Sequence, residues 1–217
     1  MALSIPKLGL GNESLTRNRN YLCVLCVSAV RYFQMKIIEL KKENYKNVKL
    51  HYRYVCDKYY KVIYSQTKDG WNIRFKLTQA EKKIIKDYEE PLLEDWMEEE
   101  SEGGCQIFGI EDNGNIVGWL TIGKESWSDR LRIYELLVLE DYRNKGYGKL
   151  LVQKAKEVAK EKRCYCVVLE TQTNNYNAIE FYKKCGFNLF GCDLNCYQYN
   201  DIERNEVRID MVCYLKN

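Results

Sequence analysis

The chain has 217 residues, of which 46% are hydrophobic, and its 34 basic and 31 acidic side chains leave a formal net charge of +3. That length suits one domain with an added N-terminal segment, and so even a charge balance argues against a nucleic-acid or anionic-membrane partner. Ten cysteines and a single histidine supply neither a second CxxC beside Cys23 and Cys26 nor a His-rich set, so neither a zinc finger nor any other metal site is expected, and the thiols are expected to be reduced in a cytoplasmic protein.

No apolar run is long enough for a membrane span. The stretch YLCVLCVSAV (21–30) follows Arg17 and Arg19 as the core of a signal peptide would. Met35, however, opens MKIIELK, which reads as the first strand of a domain. Residues 1–34 are therefore read as an N-terminal extension, and 35–217 as a single domain with halves 35–104 and 105–217. Residues 45–66, rich in Tyr and Val, are ambiguous between helix and strand. TKDGW (67–71) is a turn, because Asp-Gly tolerates positive φ, and WNIRFKL (71–77) alternates as a strand does. TQAEKKIIKDYEEPLLEDWMEEE begins with a capping Thr78 and is interrupted by Pro91, which predicts helices lying over one sheet edge. Residues 105–126 form a hairpin around DNGN. LRIYELLVL (131–139) and CYCVVLET (164–171) are buried strands. GKLLVQKAKEVAKEK (148–162) and NAIEFYKKCGF (177–187) are amphipathic helices, the second ended by Gly186. Two closing strands follow.

RNKGYG (143–148) leaves a buried strand and enters a helix at once. A helix N-terminus presents unpaired N–H groups and partial positive charge. Glycines at 146 and 148 remove Cβ atoms from the approach of a diphosphate, and Arg143 and Lys145 add charged donors. The alternative is a tight turn that needs glycine for geometry alone. No GK[ST] follows and no acidic carboxylates cluster nearby, so a kinase-like nucleotide site fails. The glycine spacing also fails the dinucleotide fingerprint.

Taken with VVLETQTNNYNAIEFYKKCGF, the stretch YELLVLEDYRNKGYGKLLV resembles the GNAT superfamily of N-acetyltransferases, and its motifs are most similar to the streptothricin acetyltransferases. Three separated elements carry the resemblance over about residues 105–214: the strand ending at Val138, RxxGxG, and NxxAxxxY followed by Gly-Phe. The resemblance implies a mixed, mostly antiparallel twisted α/β sheet flanked by helices, with a V-shaped opening between two central parallel strands. It implies acetyl-CoA as co-substrate. Backbone at Leu137, Val138 and Leu139 would pair with the pantetheine arm, and a bulge there would supply an oxyanion donor. Arg143, Asn144, Lys145, Gly146, Tyr147 and Gly148 would cradle the pyrophosphate. Asn175 would bond the cofactor arm, and Tyr182 would stand beside the thioester sulfur as general acid. The half 35–104 would shape the acceptor site.

The amine nucleophile must lose a proton, since an alkyl ammonium has a pKa of about 10.4. Glu135 and Glu170 are the candidate bases. A regular strand would turn Glu135 away from the face of Val138; a bulge would reverse that parity. Streptothricin acetyltransferases carry an acidic pair where this chain has Tyr134–Glu135, a departure that bears on which amine is taken. The acidic run from Glu94 to Glu102 reads either as a solvated face or as an attraction for a polycationic amine. His51 receives no role. The expected activity is acetylation of a primary amine on a small molecule, an antibiotic such as streptothricin among them. A non-catalytic acyl-CoA-binding module and an acetyltransferase of protein N-termini or lysines are the alternatives. The closing strands could pair across a homodimer.

Overall fold

A computed structural model describes residues 35–215. The extension at 1–34, with its CxxC, lies outside the described residues. A seven-stranded sheet has the order β1-β4-β5-β6-β7-β9-β8, and a separate two-stranded sheet pairs β2 with β3. The strands are β1 (Met35–Leu40), β2 (Lys49–Thr67), β3 (Gly70–Pro91), β4 (Gln106–Asp112), β5 (Asn115–Lys124), β6 (Arg130–Val138), β7 (Cys166–Gln172), β8 (Asn188–Asp193) and β9 (Arg208–Tyr214). The helices are α1 (Asp95–Glu100), α2 (Tyr147–Glu161) and α3 (Tyr176–Lys184). Among the described residues no helix is long and apolar enough to cross a membrane.

From β6 onward the order is that expected, β-α-β-α-β-β, and among the described residues β6 and β7 are the one parallel pair. The apolar face of α2 buries Leu151, Val152, Ala155, Val158 and Ala159 against the sheet. A second cluster, including Leu50, Leu92, Met97 and Leu137, fills the opposite face beneath the hairpin and α1.

The expected helices over 78–100 are corrected. Residues 78–91 continue β3, and only Asp95–Glu100 is helical. Apolar residues at Ile84, Ile85, Tyr88 and Leu92 mimic helical spacing. The burial is instead two-periodic, with 84, 86 and 88 turned inward and 85, 87 and 89 outward. Lys86 disguised this alternation: it points inward because Glu206 pairs with it at 2.5 Å. The ambiguous 45–66 region is the partner strand, paired from Lys49↔Pro91 to Thr67↔Gly70 around the expected Asp-Gly turn. The register jumps where Ala80–Lys83 bulge opposite Asp57, which bends the ribbon.

The turn into β6 is held by a buried charge cluster. Glu125 is 1% exposed and accepts from Arg130 Nε at 2.7 Å and Arg132 Nε at 2.9 Å. The Arg130 guanidinium also lies over the Trp127 ring, 4.6 Å from its centre. Removing one cation leaves a buried carboxylate under-compensated. Arg132→Ala is expected to destabilise the fold by about 3 kcal/mol, read as a lower urea midpoint. A midpoint within error of the parent protein would contradict this role for the cluster.

Candidate functional site

The parallel ladder between β6 and β7 runs only from Arg130↔Cys166 to Ile133↔Leu169. Both strands continue beyond it, β6 to Val138 and β7 to Gln172, and they do so apart. The departure begins at a bulge. Thr121 pairs with Glu135 and Ile122 with Ile133, so Tyr134 is the extra residue. The sequence placed a bulge near Val138; it lies four positions earlier, at Tyr134. It leaves Glu135 on the face opposite Val138, because the register from Glu135 to Val138 is regular, and instead turns Tyr134 onto the face that Glu135 occupies. Tyr134 meets Ser101 at 3.1 Å and the Trp96 ring edge-on. Glu135 accepts a hydrogen bond from Tyr52, also on the hairpin side. Two successive side chains thus share one face.

Beyond the bulge the backbone alternates again. The Leu139 N–H donates to the Val117 carbonyl at 2.9 Å, which directs the N–H groups of Leu136 and Val138 away from β5, toward the split.

The turn that follows is organised by its own side chains. Arg143 was expected to offer charge to a diphosphate. Its Nε instead donates to the Val138 carbonyl at 3.0 Å and its Nη1 to the Arg53 carbonyl at 2.9 Å. Lys145 Nζ lies 4.6 Å from the centre of the Tyr142 ring, and Tyr147 donates from its hydroxyl to Asp112 at 2.9 Å. The two glycines have different reasons. Gly146 is the N-cap of α2 at φ +90°, and a Cβ there would meet no atom within 4 Å. Gly148 would place a Cβ 3.0 Å from Phe181 Cζ, so it is glycine to let α3 pack on α2. Asn144 also takes positive φ, at 62°. The first turn of α2 carries no acidic residue. Open space beside Gly146, a helix N-terminus without acids, and a strand pair split open at Ile133↔Leu169 together fit an extended phosphate-bearing ligand.

Asn175 caps α3 by accepting from the Ala178 N–H at 3.2 Å. Tyr182 is buried on α3 between Phe181 and Phe187, and its hydroxyl has no hydrogen-bond partner among the described residues. Burial raises its pKa, and the nearby Glu135 carboxylate adds to the rise. Burial pushes Glu135 up to about 8. The Tyr52 hydroxyl pulls it back, while Glu90, Glu170 and Glu94 push it higher. The second candidate base, Glu170, is engaged by Arg208 at 3.1 Å and Tyr197 at 3.3 Å.

Sequence reasoning expected residues 35–104 to shape the acceptor side but named none of the residues there that reach the cleft. Tyr52 and Tyr88, a cross-strand pair stacked at 5.4 Å, and Glu90 all reach this cleft. The alternation in His-Tyr-Arg-Tyr (51–54) was the available signal. The hairpin is fastened across the split: Tyr54 donates to Asn174 at 3.0 Å, Tyr60 to Glu180 at 2.9 Å, and Asn177 to the Val55 carbonyl at 3.0 Å. Half of the acidic run is ion-paired: Glu98 with Lys42 at 2.9 Å, Glu102 with Lys124 at 2.9 Å and Asp95 with Lys46 at 3.5 Å. His51 pairs with Asp87 on the surface.

The sequence profile of the acetyltransferase (GNAT) family matches residues 71–187. A streptothricin acetyltransferase of Escherichia coli is 32% identical over 117 residues, 54% of this chain and 67% of that protein. Streptothricin acetyltransferase A of Bacillus subtilis is 33% identical over 128 residues, 59% of this chain and 72% of that protein. Nourseothricin acetyltransferase, solved as a crystal structure, shares the fold at a TM-score of 0.63 and 21% identity, over 84% of this chain and 99% of that one. A Bacillus anthracis protein solved with acetyl coenzyme A shares it at 0.60 and 24% identity, over 84% and 98%. The chain belongs to the GNAT acetyltransferase family.

The raised pKa of Glu135 has a thermodynamic consequence. Between its ordinary value of 4.5 and about 8, the folded chain keeps a proton that the unfolded chain has lost. Stability therefore falls as pH rises through that window. Glu135→Gln, which cannot ionise, is expected to be more stable than the parent above pH ~8 by on the order of 2 kcal/mol. The gain should shrink toward pH ~5, as followed by urea unfolding across pH. A gain independent of pH would show that Glu135 ionises freely.

Proposed function

We propose that this N-acetyltransferase moves the acetyl group of acetyl-CoA onto a primary amine of a small molecule, streptothricin among the candidates, with Glu135 as base and Tyr182 as acid. One observation carries the reading. A half-buried glutamate, pushed up to about 8, lies two residues past the last pair of the parallel ladder, and its carboxylate raises the pKa of a buried tyrosine that has no hydrogen-bond partner among the described residues. Acetyl-CoA supplies an activated acyl group. A base working near neutral pH takes a proton from the substrate ammonium so that the neutral amine can attack, and a phenol of high pKa holds a proton for the departing thiolate. The carboxylates of Glu90, Glu94 and Glu170 act on Glu135 and favour a cationic acceptor. Streptothricin acetyltransferases are among this chain's relatives, which supports an antibiotic-like amine over a protein substrate.

In this reading the N–H groups of Leu136 and Val138 receive the pantetheine arm. Backbone from Asn144 to Gly148 holds the pyrophosphate. Arg143 acts by shaping that turn. Leu137 and the N–H of Leu139 face β5, while the Leu139 carbonyl accepts from the Tyr142 N–H, so both residues support the arrangement indirectly. Asn175 sets the start of α3 and so the place of Tyr182. Glu170, already paired with Arg208, acts through its charge. Residues 35–217 work as one unit, with the acceptor side on 35–104 and the acetyl-CoA side on 105–217. The apolar edge strand β8, with Leu189 and Phe190 exposed, is the surface through which a homodimer would form.

Tyr182→Phe is expected to lower kcat by about 100-fold or more while leaving the calorimetric affinity for acetyl-CoA nearly unchanged. Equal losses in both would reduce Tyr182 to a packing residue. Gly146→Glu is expected to abolish acetyl-CoA binding in the same titration, with the fold retained by circular dichroism. Undiminished binding would overturn the phosphate cradle. A panel of amines that includes streptothricin then identifies the acceptor.

A further inference from the structure

Glu135 is the base only in the reading just given, and the inference here rests on that reading. Its two carboxylate oxygens are placed differently. Oε2 accepts a hydrogen bond from the Tyr52 hydroxyl, whereas Oε1 has no hydrogen-bond partner among the described residues. Tyr52 has no other hydrogen-bond partner among those residues, so its single proton is committed to this contact. The ring itself is held. It stacks on Tyr88 with centroids 5.4 Å apart and planes 11° from parallel, and the two residues face each other across the hairpin ladder. Tyr52 also packs in the cluster that contains Leu50, Leu92 and Leu137, the last only two residues beyond Glu135.

We propose that Tyr52 is the positioning residue of the acceptor site, gripping Oε2 of Glu135 so that Oε1 is the oxygen that takes the amine's proton. A lone carboxylate in a cleft can rotate about its last torsion. One oxygen tied to a rigid, stacked phenol cannot, and a defined oxygen is what a proton transfer requires. A hydroxyl donating to a carboxylate also favours the charged form. Tyr52 therefore opposes burial and the surrounding acids. The titratable groups acting on Glu135 are Tyr52 from β2, Glu90 from β3, Glu94 before α1 and Glu170 from β7. Glu135 in turn acts on Tyr88 of β3 and Tyr182 of α3. Of these, Tyr52 is the group that pulls Glu135 downward.

The test is the pH profile of kcat/KM for the accepted amine, in the full chain, for the parent, Glu135→Gln and Tyr52→Phe. Glu135→Gln identifies which acid limb belongs to Glu135. In Tyr52→Phe that limb should move to higher pH by about one unit. Activity near neutrality should then fall about tenfold and recover on the alkaline side. Acetyl-CoA affinity, read by calorimetry, should not change. A uniform loss at every pH, or an unmoved limb, overturns the inference while leaving Glu135 as base. An acid limb that survives in Glu135→Gln instead removes the base assignment itself. If Tyr52→Phe does not fold, Tyr88→Leu keeps the hydroxyl and removes its stacking partner. Its limb should shift in the same direction by less, and no shift there overturns the inference.

Discussion

Everything in this molecule depends on a hydrogen-bond ladder that stops early. β6 and β7 pair for four residues each and then part. In a buried sheet, unpaired backbone groups are costly unless something meets them. The bulge at Tyr134 starts the departure, and the turn at Arg143 fixes where β6 ends by bonding the Val138 carbonyl. The strand before the split is anchored by the Glu125–Arg130–Arg132 cluster. Pairing up to Ile133↔Leu169 and none beyond it leaves the N–H groups of Leu136 and Val138 directed away from β5. A strand-like ligand with amide groups of its own completes such an edge in the way an added strand would.

The second half of the structure serves this slot from outside. The hairpin of β2 and β3 makes few hydrogen bonds to the large sheet; side-chain contacts to Asn174, Glu180 and Glu206 fasten it. It carries the tyrosines and Glu90 to the face of Glu135. Holding several carboxylates near one another opposes folding. The aromatic rings, the apolar cluster under the hairpin and the ion pairs at its margins offset that cost.

How much of this the sequence disclosed depends on how local the signal was. The hairpin around Asn113-Gly114, the two amphipathic helices, and the strands flanking RNKGYG were legible because periodicity and turn chemistry agree there. The place of Tyr182 on a helix, and of residues 143–148 at a helix start, followed from the same local rules. The helices assigned to 78–100 failed because Ile84, Ile85 and Tyr88 fit two periods at once. The contact that decides between them, Lys86 with Glu206, spans 120 positions. The contacts that Arg143 and Gly148 make were out of reach for the same reason. One bonds the backbone of β2 and the other clears room for Phe181, and neither partner is adjacent in the chain. Tyr52 was invisible as a site residue because its meaning lies entirely in a partner on another strand.

The hairpin leaves and rejoins the rest of the chain at neighbouring points, since Lys49 pairs with Pro91. A segment whose two ends meet can be exchanged whole without moving what lies on either side. For this chain the unit of inheritance is then larger than a residue. Recombination at those two positions replaces a complete wall of the cleft while the split sheet, its turn and its helices are passed on untouched. A replacement ribbon would have to fasten onto α3 and the β7 loop and still present a hydroxyl to Glu135 and a carbonyl to Arg143.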